Sequence, residues 1–315
     1  MNSHSIVVLD AKTVGNSSVF KSFKKLGNLT VYDTTTADER ISHIGNATII
    51  ITNKVIISKD IIDACPTVKL ICLTATGMNN VDLEYTKTKG IIVKNVAGYS
   101  TESVAQHTFA LTLSFLHRTQ YYANFVKNGT YSKSGLFTHI GPGYWELQGK
   151  TWGIIGLGTI GRRVAEIATA FGCTIQYMST SGKNHTHDYP QRTLQELLQT
   201  SDIISIHAPL NENTYNLIGK QEFSYMQAHA LLINVGRGGI INEEALANAL
   251  RENCIAGACL DVMEKEPLPV NSPLLAQDIS EKLLITPHVA WISNEALTCL
   301  LQKVYTNVQT YIEGV

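Results

Sequence analysis

The chain is poor in charge. Asp, Glu, Lys and Arg make up 16% of its 315 residues, with 25 basic and 26 acidic side chains and a net charge of −1. Globular domains usually carry about a quarter. That balance gives no electrostatic footprint for nucleic acid or an anionic membrane surface. Long apolar runs are missing too: none reaches the roughly 18 residues of a membrane span. The start, MNSHSIVVLD, lacks a basic segment followed by a long apolar stretch, so it reads as a first strand rather than a signal peptide. The six cysteines are scattered and none forms a CxxC pair. Reduced, buried thiols in a cytoplasmic protein are expected, and no metal site is. Low-complexity segments and fixed-period repeats are also absent.

What is present is an alternation of short β-branched runs with helical patterns. IVVLD (6–10), LTVYD (29–33), ATIIIT (47–52), KLICLT (69–74) and IIVKNV (91–96) form one series. A second runs through TWGIIGLGTIG (151–161), CTIQYM (173–178), DIISIHAPL (202–210), ALLINVGRG (230–238), AGACLDVM (256–263) and LLITPHVAW (283–291). Two α/β units with mostly parallel sheets are expected. Between them, residues 99–118 read as one long helix with Ser100 or Thr101 as N-cap. The polar, glycine-containing segment 119–150 reads as an extended loop or arm.

WGIIGLGTIGRRVAEIA combines a strand, a tight turn and a helix. Gly156, Gly158 and Gly161 match G-x-G-x-x-G. The first glycine permits the turn, the second lets backbone approach a pyrophosphate, and the third lets helix and strand pack closely. With strand and helix both in place, dinucleotide binding is favoured over a turn without a ligand. About 20 residues on, an NAD site expects an acid for the ribose hydroxyls. Here the strand runs into Ser179-Thr180-Ser181-Gly182-Lys183. Hydroxyls and Lys183 suit the 2′-phosphate of NADPH; an indifferent loop suits NADH. Both stay open, with NAD favoured because the loop has no arginine.

Ionisable side chains follow three strand-like runs of the second series. Arg237 follows LLINV, Asp261, Glu264 and Glu266 follow AGACL, and His288 follows LLITP. Parallel strands present ligands at their carboxyl ends. A cation there can bind a substrate carboxylate and polarise a carbonyl. A histidine can exchange the hydroxyl proton, and a carboxylate can orient the imidazole. Taken singly, His288 fits a core histidine and the glutamates fit loop acids; their order and shared location carry the reading.

GLGTIGRRVA, INVGRGGIINEEAL, GACLDVMEKEPL and ITPHVAW, in that order, resemble the D-2-hydroxyacid dehydrogenases over nearly the whole chain. The resemblance implies two doubly wound parallel-sheet domains, Rossmann-like and flavodoxin-like, with the active site in the cleft between them. Residues 1–100 plus 289–315 would form a discontinuous substrate domain. Residues 101–288 would form the dinucleotide domain, with a dimerisation helix and arm at about 101–150, and the chain would be a homodimer. Arg237, Glu266 and His288 would be the catalytic set, and Asp261 would hold the nicotinamide carboxamide. Expected cofactor contacts are Gly156, Leu157, Gly158, Thr159, Ile160 and Gly161, then Ser179, Thr180, Ser181 and Lys183. His207, Ala208, Pro209, Val235, Gly236, Arg237 and His288 join them. LTATGMNNVD (73–82) matches the loop whose amides hold the substrate carboxylate, at Thr76 and Gly77. Lys54 and Trp291, with Arg237 and His288, complete the expected substrate contacts, although Lys54 equally fits a solvated loop lysine.

AGYSTESVAQHTFAL and PHVAWISNEA resemble glycerate dehydrogenases, also named hydroxypyruvate reductases. A small 2-keto or 2-hydroxy acid is the expected partner, with glyoxylate as a second substrate. D-lactate and 3-phosphoglycerate remain alternatives, the latter disfavoured because no regulatory extension follows Val315. An NAD-sensing corepressor-like protein is the alternative from another class, disfavoured by the lack of a polar interaction tail.

Overall fold

The computed structural model describes residues 4–183 and 186–314. It divides into two compact units, Met1–Ser100 with Ile292–Val315, and Thr101–Trp291. Asp261 ties the amides of Val289 and Ala290 to the second unit. The chain therefore returns to the first unit after Trp291, not directly after His288.

The first unit holds a five-stranded parallel sheet of β1 (Ser5–Val8), β2 (Asn28–Val31), β3 (Ile49–Thr52), β4 (Leu70–Leu73) and β5 (Ile92–Lys94), in the order β2-β1-β3-β4-β5. β3 and β4 read IIIT and LICL and are buried throughout, as strands covered on both faces must be. Strand order reverses between β1 and β3. At that point the buried Asp10 carboxylate accepts the amides of Asn53 at 2.9 Å and Lys54 at 2.7 Å. The loop carrying Lys54 is thus pinned at the switch point of its own sheet. Helix Asn294–Glu313 closes this unit, with Ser293 as N-cap accepting the Ala296 amide.

The second unit has six parallel strands, β6 (Thr151–Ile155), β7 (Thr174–Met178), β8 (Ile203–Ile206), β9 (Leu231–Asn234), β10 (Gly257–Leu260) and β11 (Leu283–Ile285). Their order is β11-β10-β9-β8-β6-β7. One apolar cluster covers each face: Leu232 packs into one, and its neighbours Leu231 and Ile233 into the other. Helix Glu243–Arg251 starts at Asn242, whose side chain accepts the Ala245 amide. Helix Thr101–Leu116 buries Val104, Ala105, Phe109 and Leu111 in the core. The arm departs from expectation. Its first part is helical, at Thr119–Lys127 and Thr130–Ser134. Tyr121, Tyr122, Phe125 and Val126 carry a helical spacing that the polar composition of the whole segment obscured.

Candidate active site

The glycine loop joins β6 to helix Thr159–Ala170, and each glycine meets a separate demand. Gly156 has φ +94°, and a Cβ there would lie 2.9 Å from the Ala208 amide nitrogen. At Gly161 a Cβ would fall 2.3 Å from the Gly156 carbonyl oxygen, so strand and helix touch there. Gly158 has nothing within 4 Å of that position. It borders a cleft of about 570 Å³ lined by Leu157, Thr159 and Arg162, with Thr101 and Glu102 alongside. Open space at the second glycine, at a helix N-terminus, is what a pyrophosphate requires.

Among the described residues, Ser179 Oγ beyond β7 and His207 Nδ1 beyond β8 are buried polar atoms without a protein partner beside this loop. β7 and β8 are the two strands beside β6. Orphaned groups of this kind are open to a ligand or an ordered water. Burial lowers the His207 pKa to about 3, so the ring is neutral. Its Nε2 lies 2.9 Å from Ser205 Oγ, which also accepts the Trp152 indole N–H. Thr180 is half-buried, whereas Ser181 and Lys183 are exposed. These residues fit a dinucleotide.

Arg237 sits in the turn after β9. Asn234 shapes that turn: its Oδ1 accepts the Gly236 amide at 3.0 Å and its Nδ2 donates to the Arg237 carbonyl at 2.8 Å. Sequence reasoning missed Asn234, although an Asn at a strand end is a known turn former. Gly238 has no room for a side chain, since a Cβ would lie 1.8 Å from the Met263 carbonyl oxygen. The Arg237 turn and the 263–266 loop are therefore in backbone contact. Glu243 holds that loop by accepting the Glu264 amide at 2.7 Å. Burial raises the Glu243 pKa, and the charges of Glu264 and Glu266 add to the effect.

Glu266 Oε1 accepts the Met263 amide at 3.0 Å, and its Oε2 lies 2.7 Å from His288 Nδ1. A carboxylate accepts only, so Nδ1 carries the proton and Nε2 remains to exchange one. His288 has φ 56°, a left-handed conformation costing about 1–2 kcal/mol for an L-residue. Asp261 is fully buried. Burial pushes its pKa up, but hydrogen bonds from His107, Thr286 and the amides of Val289 and Ala290 outweigh that and leave it lowered. Asp261 thus anchors the turn that presents His288. A carboxamide bond would have to reach Oδ2, which among the described residues accepts only the Ala290 amide. Trp291 packs on the second unit's core. Lys54, Thr76 and Gly77 belong to the first unit. There Thr76 Oγ1 donates to the Val96 carbonyl and Asn95 Nδ2 to the Thr76 carbonyl.

The sequence model described as "D-isomer specific 2-hydroxyacid dehydrogenase, NAD binding domain" matches residues 109–290. The chain belongs to this family. It is 34% identical over 284 residues to the glycerate dehydrogenase of Methylorubrum extorquens, covering 90% of this chain and 88% of that protein. It is 33% identical over 317 residues to the hydroxypyruvate reductase of Blautia hydrogenotrophica, covering 98% and 97%. Among solved structures, D-lactate dehydrogenase of Aquifex aeolicus, complexed with NAD and lactic acid, superposes with a TM-score of 0.86 at 27% identity. That match covers 98% of this chain and 96% of that one. The chain is an NAD(P)-dependent D-2-hydroxyacid dehydrogenase. No helix among the described residues is long and apolar enough to cross a membrane.

Proposed function

We propose that this dehydrogenase interconverts hydroxypyruvate and D-glycerate and also reduces glyoxylate. The observation that carries its chemistry is the 2.7 Å pair of His288 Nδ1 and Glu266 Oε2, which follow β11 and β10, the two strands beyond β9 and its Arg237 turn. The names of the relatives from Methylorubrum and Blautia support the substrate.

Arg237 binds the substrate carboxylate and polarises the ketone; its planar fork of donors suits two oxygens at once. The further substrate contacts in this reading are Thr76, Gly77, Lys54 and Trp291, as the family resemblance implies. Gly156 to Gly161 hold the pyrophosphate, Ser179 to Lys183 the adenosine ribose, and His207 to Pro209, Val235, Gly236 and Asp261 the remainder of the dinucleotide. The nicotinamide, when bound, gives or takes the hydride. In reduction His288 Nε2 protonates the ketone oxygen. In oxidation neutral His288 removes the hydroxyl proton, and Glu266 holds the imidazole in one tautomer throughout.

Four cysteines are buried and all six are unpaired, which supports a cytoplasmic setting. Burial pushes the Cys72 thiol up to about 12 and Cys173 to about 11, so both stay inert. Phe137 and Ile140 are each 92% exposed on the arm, and Leu136 and Tyr144 are exposed beside them. Such an apolar patch fits burial by a second copy in a homodimer.

The test is the loss of NADH and NADPH absorbance on adding hydroxypyruvate, glyoxylate, pyruvate or phosphohydroxypyruvate. Hydroxypyruvate and glyoxylate are expected to give the highest kcat/KM. Pyruvate as the best substrate would overturn the assignment, and turnover of none would favour a cofactor-sensing protein.

A further inference from the structure

The left-handed backbone of His288 persists only where its surroundings fix the turn. Asp261 Oδ1 accepts the Thr286 hydroxyl at 2.6 Å and the Val289 amide at 2.8 Å. Oδ2 accepts the Ala290 amide at 2.8 Å. From helix Thr101–Leu116, the Ser103 hydroxyl donates to the Ala290 carbonyl at 2.6 Å. The turn from Thr286 to Ala290 hangs from one buried carboxylate and one helix.

The same helix supplies His107. Its Nε2 lies 3.1 Å from Thr286 Oγ1 and 3.5 Å from Asp261 Oδ1. Thr286 has a single hydroxyl proton, and the short bond to Asp261 uses it. Nε2 must therefore carry hydrogen and donate to Thr286 Oγ1. That N–H keeps the threonine turned toward the carboxylate. It also directs the positive end of its N–H dipole at a carboxylate that has no contact with solvent. A histidine serving only as filler would need neither the direction nor the distance.

We propose that His107 is a positioning residue for the reaction. Its Nε2–H, acting through Thr286 and Asp261, holds the 286–290 turn so that His288 meets Glu266 and the substrate in register. The proposal rests on the reading of His288 as the acid/base. No sequence motif marks the link, because 179 residues separate His107 from Thr286.

The experiment compares full-length wild type with His107→Leu, His107→Gln, Thr286→Val and His288→Ala. It measures kcat, KM for glyoxylate, KM for NADH or NADPH, and Tm. His107→Leu should lower kcat about tenfold or more while the cofactor KM stays nearly constant, since a small displacement of the acid slows only chemistry. His107→Gln, which restores an N–H near the Nε2 position, should recover most of that loss. Thr286→Val, cutting the same chain one link later, should match His107→Leu and decides the matter if the leucine variant does not fold. A folded His107→Leu or Thr286→Val enzyme with wild-type kcat would overturn the proposal. So would a glutamine variant as slow as the leucine one at wild-type Tm. If His288→Ala keeps wild-type turnover, the acid/base reading falls and this proposal falls with it. If His288→Ala is dead and His107→Leu is fully active, only the positioning role fails.

Discussion

Glu266 Oε2 and His288 Nδ1 are 2.7 Å apart, while Glu266 Oε1 holds the Met263 amide of its own loop. One carboxylate thus fixes both its loop and the ring it serves. The side chains are 31% and 21% exposed, so the pair adds little to stability. We propose that its contribution is to chemistry. Glu266→Gln should lower kcat for glyoxylate by about a hundredfold, with substrate KM changed far less. The check is steady-state kinetics beside a melting curve. A glutamine variant that loses Tm and keeps kcat would show that the pair is structural.

The glycine loop gives a paired prediction. Gly161→Ala should fold poorly, because its Cβ would meet the Gly156 carbonyl oxygen at 2.3 Å. A loss of about 1–3 kcal/mol is expected in denaturant titration. Gly158→Ala has open space and an ordinary φ of −79°. It should melt with wild type yet bind NADH or NADPH at least about tenfold more weakly, since its Cβ points where the pyrophosphate would lie. Cofactor fluorescence titration reads the second effect. Unaltered affinity in folded Gly158→Ala would place the dinucleotide elsewhere.

His207 makes stability depend on pH. Its folded pKa, about 3, lies below the ordinary histidine value, so the unfolded chain takes up the proton first. The stabilisation from neutral His207 is complete above about pH 6.5 and is lost as pH falls toward 3. His207→Phe removes this contribution. Wild-type Tm should therefore fall more steeply than the variant's across that window. Parallel melting curves in the two proteins would contradict the burial of the neutral ring.

The arm predicts association. Replacing Phe137 and Ile140 by Ser removes the two most exposed large side chains of the patch. Sedimentation should show wild type as a dimer and the double variant shifted to monomer. Identical sedimentation at micromolar concentration would mean that another face joins the copies.

Much of this architecture was legible because its signals are local. Gly156, Gly158 and Gly161 lie within one turn of chain, and the apolar runs before Arg237, Asp261 and His288 mark strand ends directly. Other features left no such trace. Asn234 stapling the Arg237 turn looks like any polar residue after a strand. Ser103 and His107 act across 187 and 179 residues of sequence, so no periodicity reports them. The resemblance implies Asp261 as a cofactor contact; its carboxylate also bonds to the His288 turn, a tertiary relationship absent from the string GACLDVM. The helices at Thr119–Lys127 and Thr130–Ser134 are hidden by polar composition, because neither buries a side chain in the core and the rings of the first, Tyr121, Tyr122 and Phe125, pack on one another.

We propose that His288 moves the proton on a scaffold that binds cofactor independently of it. Single-turnover reduction of glyoxylate by His288→Ala, preloaded with NADH or NADPH, tests this most directly. Cofactor affinity should stay near that of wild type, and the reduction rate should fall by about a hundredfold or more. A His288→Ala enzyme that oxidises its bound cofactor at the wild-type rate would contradict it.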